Sequence, residues 1–299
     1  GTEATAAVVR LARAYTKREN ILIFDGCYHG AHDHFLFWKS GPKSLGIPHV
    51  LRKKTLVATF NDLSSVEKVV RKYKLAAIMV EPVMGNLGCI PPREGFLEGL
   101  REICDNHGAL LIFDEVITGF RLAMGGAQEF YKVEPDLVTL GKIIGGGFPI
   151  GAFAGRREIM RLIAPAGKVY QAGTFCGHPV AMIAGLTTIQ ALERKNLLDR
   201  ASNFARKVAN ILKRELELPV NQVASMFQVF FTEGEVKSAD DARKCDKATF
   251  MRFHRALLKN GVFVAPSQFE CWFTSAVDSD EDLKLTREAI SHAAGRLKR

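Results

Sequence analysis

None of the six cysteines, at positions 27, 89, 104, 176, 245 and 271, pairs with another in a CxxC spacing. That excludes a zinc knuckle and gives no disulfide framework. The thiols are therefore expected to be reduced, as in a cytoplasmic enzyme. No apolar stretch is long enough to cross a bilayer and no signal peptide is visible, so no membrane partner is expected. The 26 glycines follow no collagen-like period, and internal repeats and low-complexity tracts are lacking. Common nucleotide motifs are missing too. Gly141-Lys142 lacks the GxxxxGK[ST] spacing of a P-loop, and Gly145-Gly146-Gly147 does not open a helix after the first strand, as a dinucleotide fingerprint does. His29, His32 and His34 have metal-like spacing, but their loop brings no second ligand set, so no metal is expected.

What is present is a chain of 299 residues, 47% hydrophobic and 24% charged, long enough to bury a core in one large and one smaller domain. The net charge of +9 raises the question of a nucleic-acid partner. The basic residues, however, are spread along helical stretches such as 190–215 and 243–259 without interleaved aromatics. Solvated helix faces account for them, and nucleic acid is not an expected partner.

Short apolar runs alternate with amphipathic stretches. Helical spacing begins at once, with Ala6, Val9, Ala12 and Ala14 among Arg10, Arg13 and Lys17. A chain that opens on a helix start at Gly1-Thr2 reads as truncated at its N-terminus. Strands are expected at 21–24, 55–58, 75–80, 109–113, 137–140 and 150–154, with helices at 64–73, 95–107 and 178–194. Fully apolar strands of this length predict a mostly parallel sheet covered by helices on both faces. Composition shifts after 194. Helices at 198–215, 240–260 and 280–297, with strands near 226–232 and 261–264, predict a smaller α+β domain over 195–299 beside a large domain over 1–194.

In parallel sheets ligands bind beyond the carboxyl ends of the strands. Glu81 and Asp114 fall at two such ends, and Lys142 follows a third in a glycine-lined turn. A buried strand ending in an acid, followed by a lysine held in such a turn, is what pyridoxal phosphate needs. The lysine condenses with the aldehyde and the acid pairs with the protonated ring nitrogen. Alone, the pair has a lesser reading as a solvated acid and a surface lysine in a flexible loop. Gly1-Thr2 at a helix start suits an anion, or is an ordinary N-cap. Tyr28 or His29 can lie flat against an aromatic cofactor, or fill a turn. Asn86 after Glu81-Pro82 can contact a phenolate or form a turn. Gly173-Thr174 offers a hydroxyl and backbone N–H to a phosphate, or is equally a plain turn. Glu270, among apolar neighbours, can act on a substrate amine, or is a loop acid. Segment 31–54, broken by Gly41-Pro42, Gly46 and Pro48, is expected to be a lid or disordered.

The segments GTEAT (1–5), GCYHG (26–30), VEPVMGNLGCIPP (80–92), LIFDEVITGFR (111–121), PDLVTLGKIIGGGFPIGAFAGR (135–156), VYQAGTFCGHP (169–179) and VFVAPSQFE (262–270) together resemble the class III, fold-type I aminotransferases over nearly the whole chain. The resemblance implies the α/β fold-type I architecture with pyridoxal phosphate as cofactor and pyridoxamine phosphate in the cycle. Lys142 would hold the cofactor and move protons, and Asp114 would pair with its ring nitrogen. Gly1 and Thr2 would cup its phosphate, with Thr174 of a neighbouring subunit completing the cup in a homodimer. Tyr28 would stack on the ring, Asn86 would contact its hydroxyl side, and Glu270 would sit near the substrate amine. Two chemistries are open: transfer of an amino group within one substrate, or a two-substrate transamination of an ω- or β-amino acid. A carboxylate-binding arginine, frequent in the C-terminal domain of the transaminases, is missing around Glu270, which favours the first. Three departures stand out. The serine that precedes Gly1 in the family is not present. The gate reads Trp38-Lys39-Ser40-Gly41-Pro42, where the family has Lys-Ala-Gly-Ser-Gly in a longer loop. Cys176 and His178 replace a serine and an asparagine.

Overall fold

The computed structural model describes residues 1–194 and 196–297 and divides into two compact units. The first unit comprises Gly1–Pro82 and Pro92–Leu192, the second Val83–Pro91 and the chain from Glu193 onward.

The first unit runs α1 (Thr2–Thr16), β1 (Asn20–Phe24), β2 (Phe37–Trp38), β3 (Gly41–Pro42), α2 (His49–Arg52), β4 (Thr55–Ala58), α3 (Leu63–Val70), β5 (Leu75–Val80), α4 (Phe96–His107), β6 (Leu110–Asp114), α5 (Gly126–Tyr131), β7 (Leu137–Gly141), β8 (Gly151–Gly155), α6 (Arg157–Met160) and α7 (Pro179–Arg194). Six strands form one sheet in the order β4-β1-β5-β6-β7-β8. Pairing is parallel from β4 to β7, and β8 closes the edge antiparallel to β7. Every residue of β5 and β6 is buried, as strands covered on both faces require. The apolar face of α1, through Val8, Val9, Leu11 and Ala12, packs with Ile21, Ile23, Ala77, Met79, Leu110, Ile112 and Leu137 into one core. Helix α3 starts where Asp62 accepts from the Ser65 amide, and α4 stops at Gly108, whose positive φ of 60° ends it. The sheet order reverses between β1 and β5, so the crevice of such a fold lies at their carboxyl ends.

Segment 31–54 is folded. It holds a 3-10 turn (Asp33–Phe35), the β2–β3 hairpin and α2. It is tied down by its own polar groups: the Lys39 amide donates to Asp25 Oδ1 (3.1 Å) and Lys43 Nζ to the Cys27 carbonyl (2.9 Å).

The second unit contains α8 (Leu197–Leu216), β9 (Val220–Val223), β10 (Met226–Val229), α9 (Ala239–Arg243), α10 (Lys247–Lys259), β11 (Trp272–Phe273) and α11 (Asp280–Leu297). Its antiparallel sheet, β11-β10-β9, packs with the helices around Phe227, Phe231, Phe250, Phe253 and Trp272. Three features differ from expectation. Segment 83–91, expected in the large domain, belongs here: the Gly88 amide donates to the Phe269 carbonyl (2.7 Å), and a Cβ at Gly88 would meet the Phe230 ring at 2.7 Å. The single helix expected over 240–260 is two, because Asp246 accepts from the Ala248 and Thr249 amides and caps a new start. No strand forms at 261–264. The Val262 amide closes the end of α10 on the Leu257 carbonyl (3.0 Å), and the Val264 carbonyl is taken by His254 Nε2 (2.9 Å).

Candidate active site

Four chain segments of the first unit converge at the carboxyl edge of its sheet. The loop after β1 carries Cys27, Tyr28, His29 and Gly30, and Glu81 follows β5. Asp114 ends β6, and Lys142 follows β7. Sequence reasoning singled out most of these residues, and the structure shows what joins them.

Glu81 is buried and its Oε1 accepts from the Tyr28 amide at 2.7 Å, a bridge across the point where the strand order reverses. Tyr28 itself is 44% exposed, so its ring is free to meet a ligand. Cys27 beside it is fully buried, and desolvation, then the charge of Glu81, push its thiol well above the usual range. It is an inert neutral filler.

Asp114 pairs in register with Thr139 of β7. Its Oδ1 accepts from Thr139 Oγ1 (3.0 Å) and from the Val116 amide (3.2 Å), and its Oδ2 faces His29 Nδ1 at 2.7 Å. Three donors hold a carboxylate that would be costly to bury alone. The next residue, Glu115, points elsewhere. It accepts from Thr118 Oγ1 and from the Ala127 and Gln128 amides, closing the 116–126 loop, and burial raises its carboxyl above the usual range despite those donors.

Lys142 adopts φ 46°, a left-handed conformation that costs a non-glycine residue about 1 kcal/mol or more. Its side chain is exposed. The turn that begins with it is clamped by α7: a Cβ at Gly185 would lie 2.3 Å from the Ile144 carbonyl, and one at Gly146 2.3 Å from Thr188 Oγ1. The close packing of α7 holds the turn in that conformation.

The start of α1 joins the same place. The Val116 side chain lies 3.2 Å from a Cβ built on Gly1 and 3.3 Å from one on Gly141, so the helix start abuts the ends of both β6 and β7. Thr2 Oγ1 accepts from the Ala31 amide (3.1 Å), and Thr5 Oγ1 donates to the His29 carbonyl (2.7 Å). The loop after β1 is thus pinned against a helix N-terminus whose N–H groups attract an anion.

Gly1, Thr2, Tyr28, His29, Glu81, Asp114 and Lys142 are thus brought together in one unit. Thr174 lies in the same unit, on an exposed turn before α7. Asn86 and Glu270 fall in the second unit. His29, expected to stack with Tyr28 as its alternative, is instead buried with its Nδ1 on Asp114 and its ring edge-to-face with Phe35. Sequence reasoning missed Thr139 and Val116. The signal for Thr139 was its place three residues before Lys142 on a strand paired with the one ending in Asp114.

A helix N-terminus for an anion, a buried carboxylate for a cationic ring atom, an exposed aromatic and a strained lysine form the donor set that a phosphorylated pyridine aldehyde requires. The sequence model of the class-III aminotransferases matches residues 1–293, and the chain belongs to that family. It is 53% identical over 307 residues to the glutamate-1-semialdehyde 2,1-aminomutase of Ignicoccus hospitalis, with 98% of this chain and 72% of the relative covered. Among solved structures it superposes on an omega-transaminase from Sphaerobacter thermophilus with a TM-score of 0.91 at 32% identity, over 100% of this chain and 73% of that one. A glutamate-1-semialdehyde-aminomutase from Pseudomonas aeruginosa PAO1 in complex with PMP gives 0.85 at 25% identity, over 99% and 70%.

Proposed function

We propose that this protein is a pyridoxal-phosphate enzyme that converts glutamate-1-semialdehyde into 5-aminolevulinate by moving the amino group to the neighbouring carbon. This is an isomerase reaction that supplies tetrapyrrole (porphyrin) synthesis. The observation that carries the reading is 53% identity to an aminomutase over almost the entire chain. The higher TM-score with an omega-transaminase favours a second reading, a two-substrate aminotransferase on an ω- or β-amino acid. It weighs less, because a shared backbone says little about which reaction a fold-type I site runs.

The cofactor, when bound, supplies an electron sink that stabilises charge on the substrate carbon. The chain's own residues do the rest. The Lys142 amine tethers the cofactor and carries protons to and from the substrate carbons. The Asp114 carboxylate favours a proton on the ring nitrogen by opposite charge. Thr2 and the α1 N-terminus bind the phosphate. Glu81 holds the Tyr28 backbone amide, and the exposed Tyr28 ring would supply a stacking surface for the cofactor. On the family resemblance, Asn86 contacts the ring hydroxyl and Glu270 the substrate amine.

We assign a homodimer as the working form, with Thr174 completing the phosphate site of the partner subunit. Helix α7 supports this. Its Gly185 and Thr188 side packs on the Lys142 turn, while Met182, Ile183 and Leu186 on the other side are exposed and apolar. A helix apolar on both sides calls for a second cover. All six cysteines are free, which suits the reducing cytoplasm, and no helix among the described residues is long and apolar enough to cross a membrane.

The test is formation of 5-aminolevulinate from glutamate-1-semialdehyde by purified protein with no keto acid added. Product formed only with pyruvate or 2-oxoglutarate present would favour the transaminase. Lys142→Ala is expected to lose the near-visible absorbance of the tethered cofactor.

A further inference from the structure

We infer that His29 is a positioning residue for Asp114, bound to it as an uncharged imidazole with its proton on Nδ1, so that the pair presents one net negative charge to the ring nitrogen of the cofactor. The inference rests on the cofactor reading above and concerns how that charge is kept.

The geometry leaves His29 few options. Its side chain is fully buried, and Nδ1 lies 2.7 Å from Asp114 Oδ2, a distance typical of a charge-assisted hydrogen bond. The carboxylate is acceptor-only when ionised, so the proton between them sits on Nδ1. Nε2 is buried and has no hydrogen-bond partner among the described residues. An imidazolium would place a second N–H there with no acceptor, and a buried donor without a partner is expensive. A bare ring nitrogen is the cheaper state. Thr5 Oγ1 holds the His29 carbonyl, which fixes its backbone, and Phe35 packs edge-to-face on the imidazole at 5.6 Å.

Charge counting then gives His29 its task. A carboxylate offers about four lone-pair directions, and Thr139 Oγ1, the Val116 amide and His29 Nδ1 take three. One acceptor direction is left for an incoming N–H. With a neutral imidazole the pair keeps its full negative charge for that donor. With an imidazolium the pair would be neutral overall and its hold on a protonated ring nitrogen weak. His29 therefore orients the acid without cancelling it, which neither Lys nor Arg can do at this position.

The test uses the full chain and three measurements. First, two-bond proton–nitrogen correlation spectra of the imidazoles, recorded without cofactor, are expected to show one buried histidine protonated at Nδ1 only, and that signal vanishes in His29→Asn. Second, pyridoxal phosphate labelled with nitrogen-15 in its ring is expected to be protonated at that atom in the wild type and in His29→Asn, whose amide can replace the Nδ1 donor. In His29→Leu, of similar volume but with no donor, the proton is lost at the same pH. Third, cofactor affinity falls about tenfold or more in His29→Leu and less than about threefold in His29→Asn. A buried histidine protonated at Nε2, or a Leu variant that keeps the ring proton and the affinity, overturns the inference. If His29→Leu does not fold, the wild-type spectra and His29→Asn still decide. Wild type that binds no pyridoxal phosphate would sink the proposed function, whereas the cofactor-free spectra test the His29–Asp114 pair separately.

Discussion

Gly30 lies so close to Thr2 that a Cβ on it would stand 2.6 Å from the Thr2 hydroxyl oxygen and 2.7 Å from the Thr2 Cα. Two parts of the proposed phosphate cradle, far apart in sequence, touch through a missing side chain. Gly30 also has φ +94°, which L side chains rarely adopt. Gly30→Ala must therefore push the loop after β1 off the start of α1. Expected are a stability loss of about 1–3 kcal/mol and a cofactor affinity lowered tenfold or more. Melting curves with and without pyridoxal phosphate check this: the stabilisation by cofactor should shrink along with the melting temperature. Unchanged curves would mean the cradle does not depend on this contact.

Gly185 plays the same part for the lysine. A Cβ there would meet the Ile144 carbonyl at 2.3 Å, two residues past Lys142. Gly185→Ala is expected to displace the strained turn and lower the near-visible absorbance per subunit at saturating cofactor. Gly295→Ala is the control, because nothing lies within 4 Å of its built Cβ and it sits in α11. That variant should keep its cofactor and gain up to about 1 kcal/mol. Equal absorbance in the two variants would sever the link between α7 and Lys142.

These contacts mark what the sequence could and could not reveal. Apolar runs such as 75–80 and 110–113 announced a parallel sheet, because burial on both faces leaves no polar alternation to confuse with a helix. The strand-end acids and Lys142 were legible for the same reason, since strand ends place side chains at a crevice. The pairing of His29 with Asp114 was not legible: it depends on β1 and β6 reaching a common edge with β5 between them. The break at Asp246 was hidden because Asp241 through Lys247 keep a helical charge pattern, whereas the Asp246 amide is claimed by the distant Phe231 carbonyl (2.8 Å). Disorder was one of the two readings of segment 31–54 because its anchors, Asp25 and Cys27, lie just past β1, outside the segment itself.

The exposed side of α7 yields a prediction about assembly. Met182, Ile183 and Leu186 form an exposed apolar stripe on α7, and charges there would be buried in the proposed dimer. If the proposed dimer forms through α7, the double variant Ile183→Asp, Leu186→Glu should run as a monomer in light-scattering chromatography and bind cofactor more weakly, having lost the Thr174 proposed to come from a partner. Thr174→Ala should remain dimeric yet share the weaker binding. A double variant that stays dimeric removes α7 from the interface.

His34 predicts how stability depends on acidity. Arg13 Nη1 lies 3.1 Å from His34 Nε2, so the ring serves as an acceptor and must be neutral. Burial first, then the Arg13 charge and the stacked His32, lower its pKa from 6.5 to about 4, while Asp33 opposes them. The unfolded chain takes up this proton near pH 6.5 and the folded chain only near pH 4. Between those values the unfolded state binds more protons, so stability is complete above pH 6.5 and falls as pH drops towards 4. Because the ring is only partly buried, solvent screening reduces the loss to about 1–2 kcal/mol. Denaturant titrations at pH 7, 6, 5 and 4 measure it. In His34→Gln, which offers Arg13 an acceptor that does not titrate, the slope over this window should flatten by that amount, and an unchanged slope would show that other groups set the acid sensitivity.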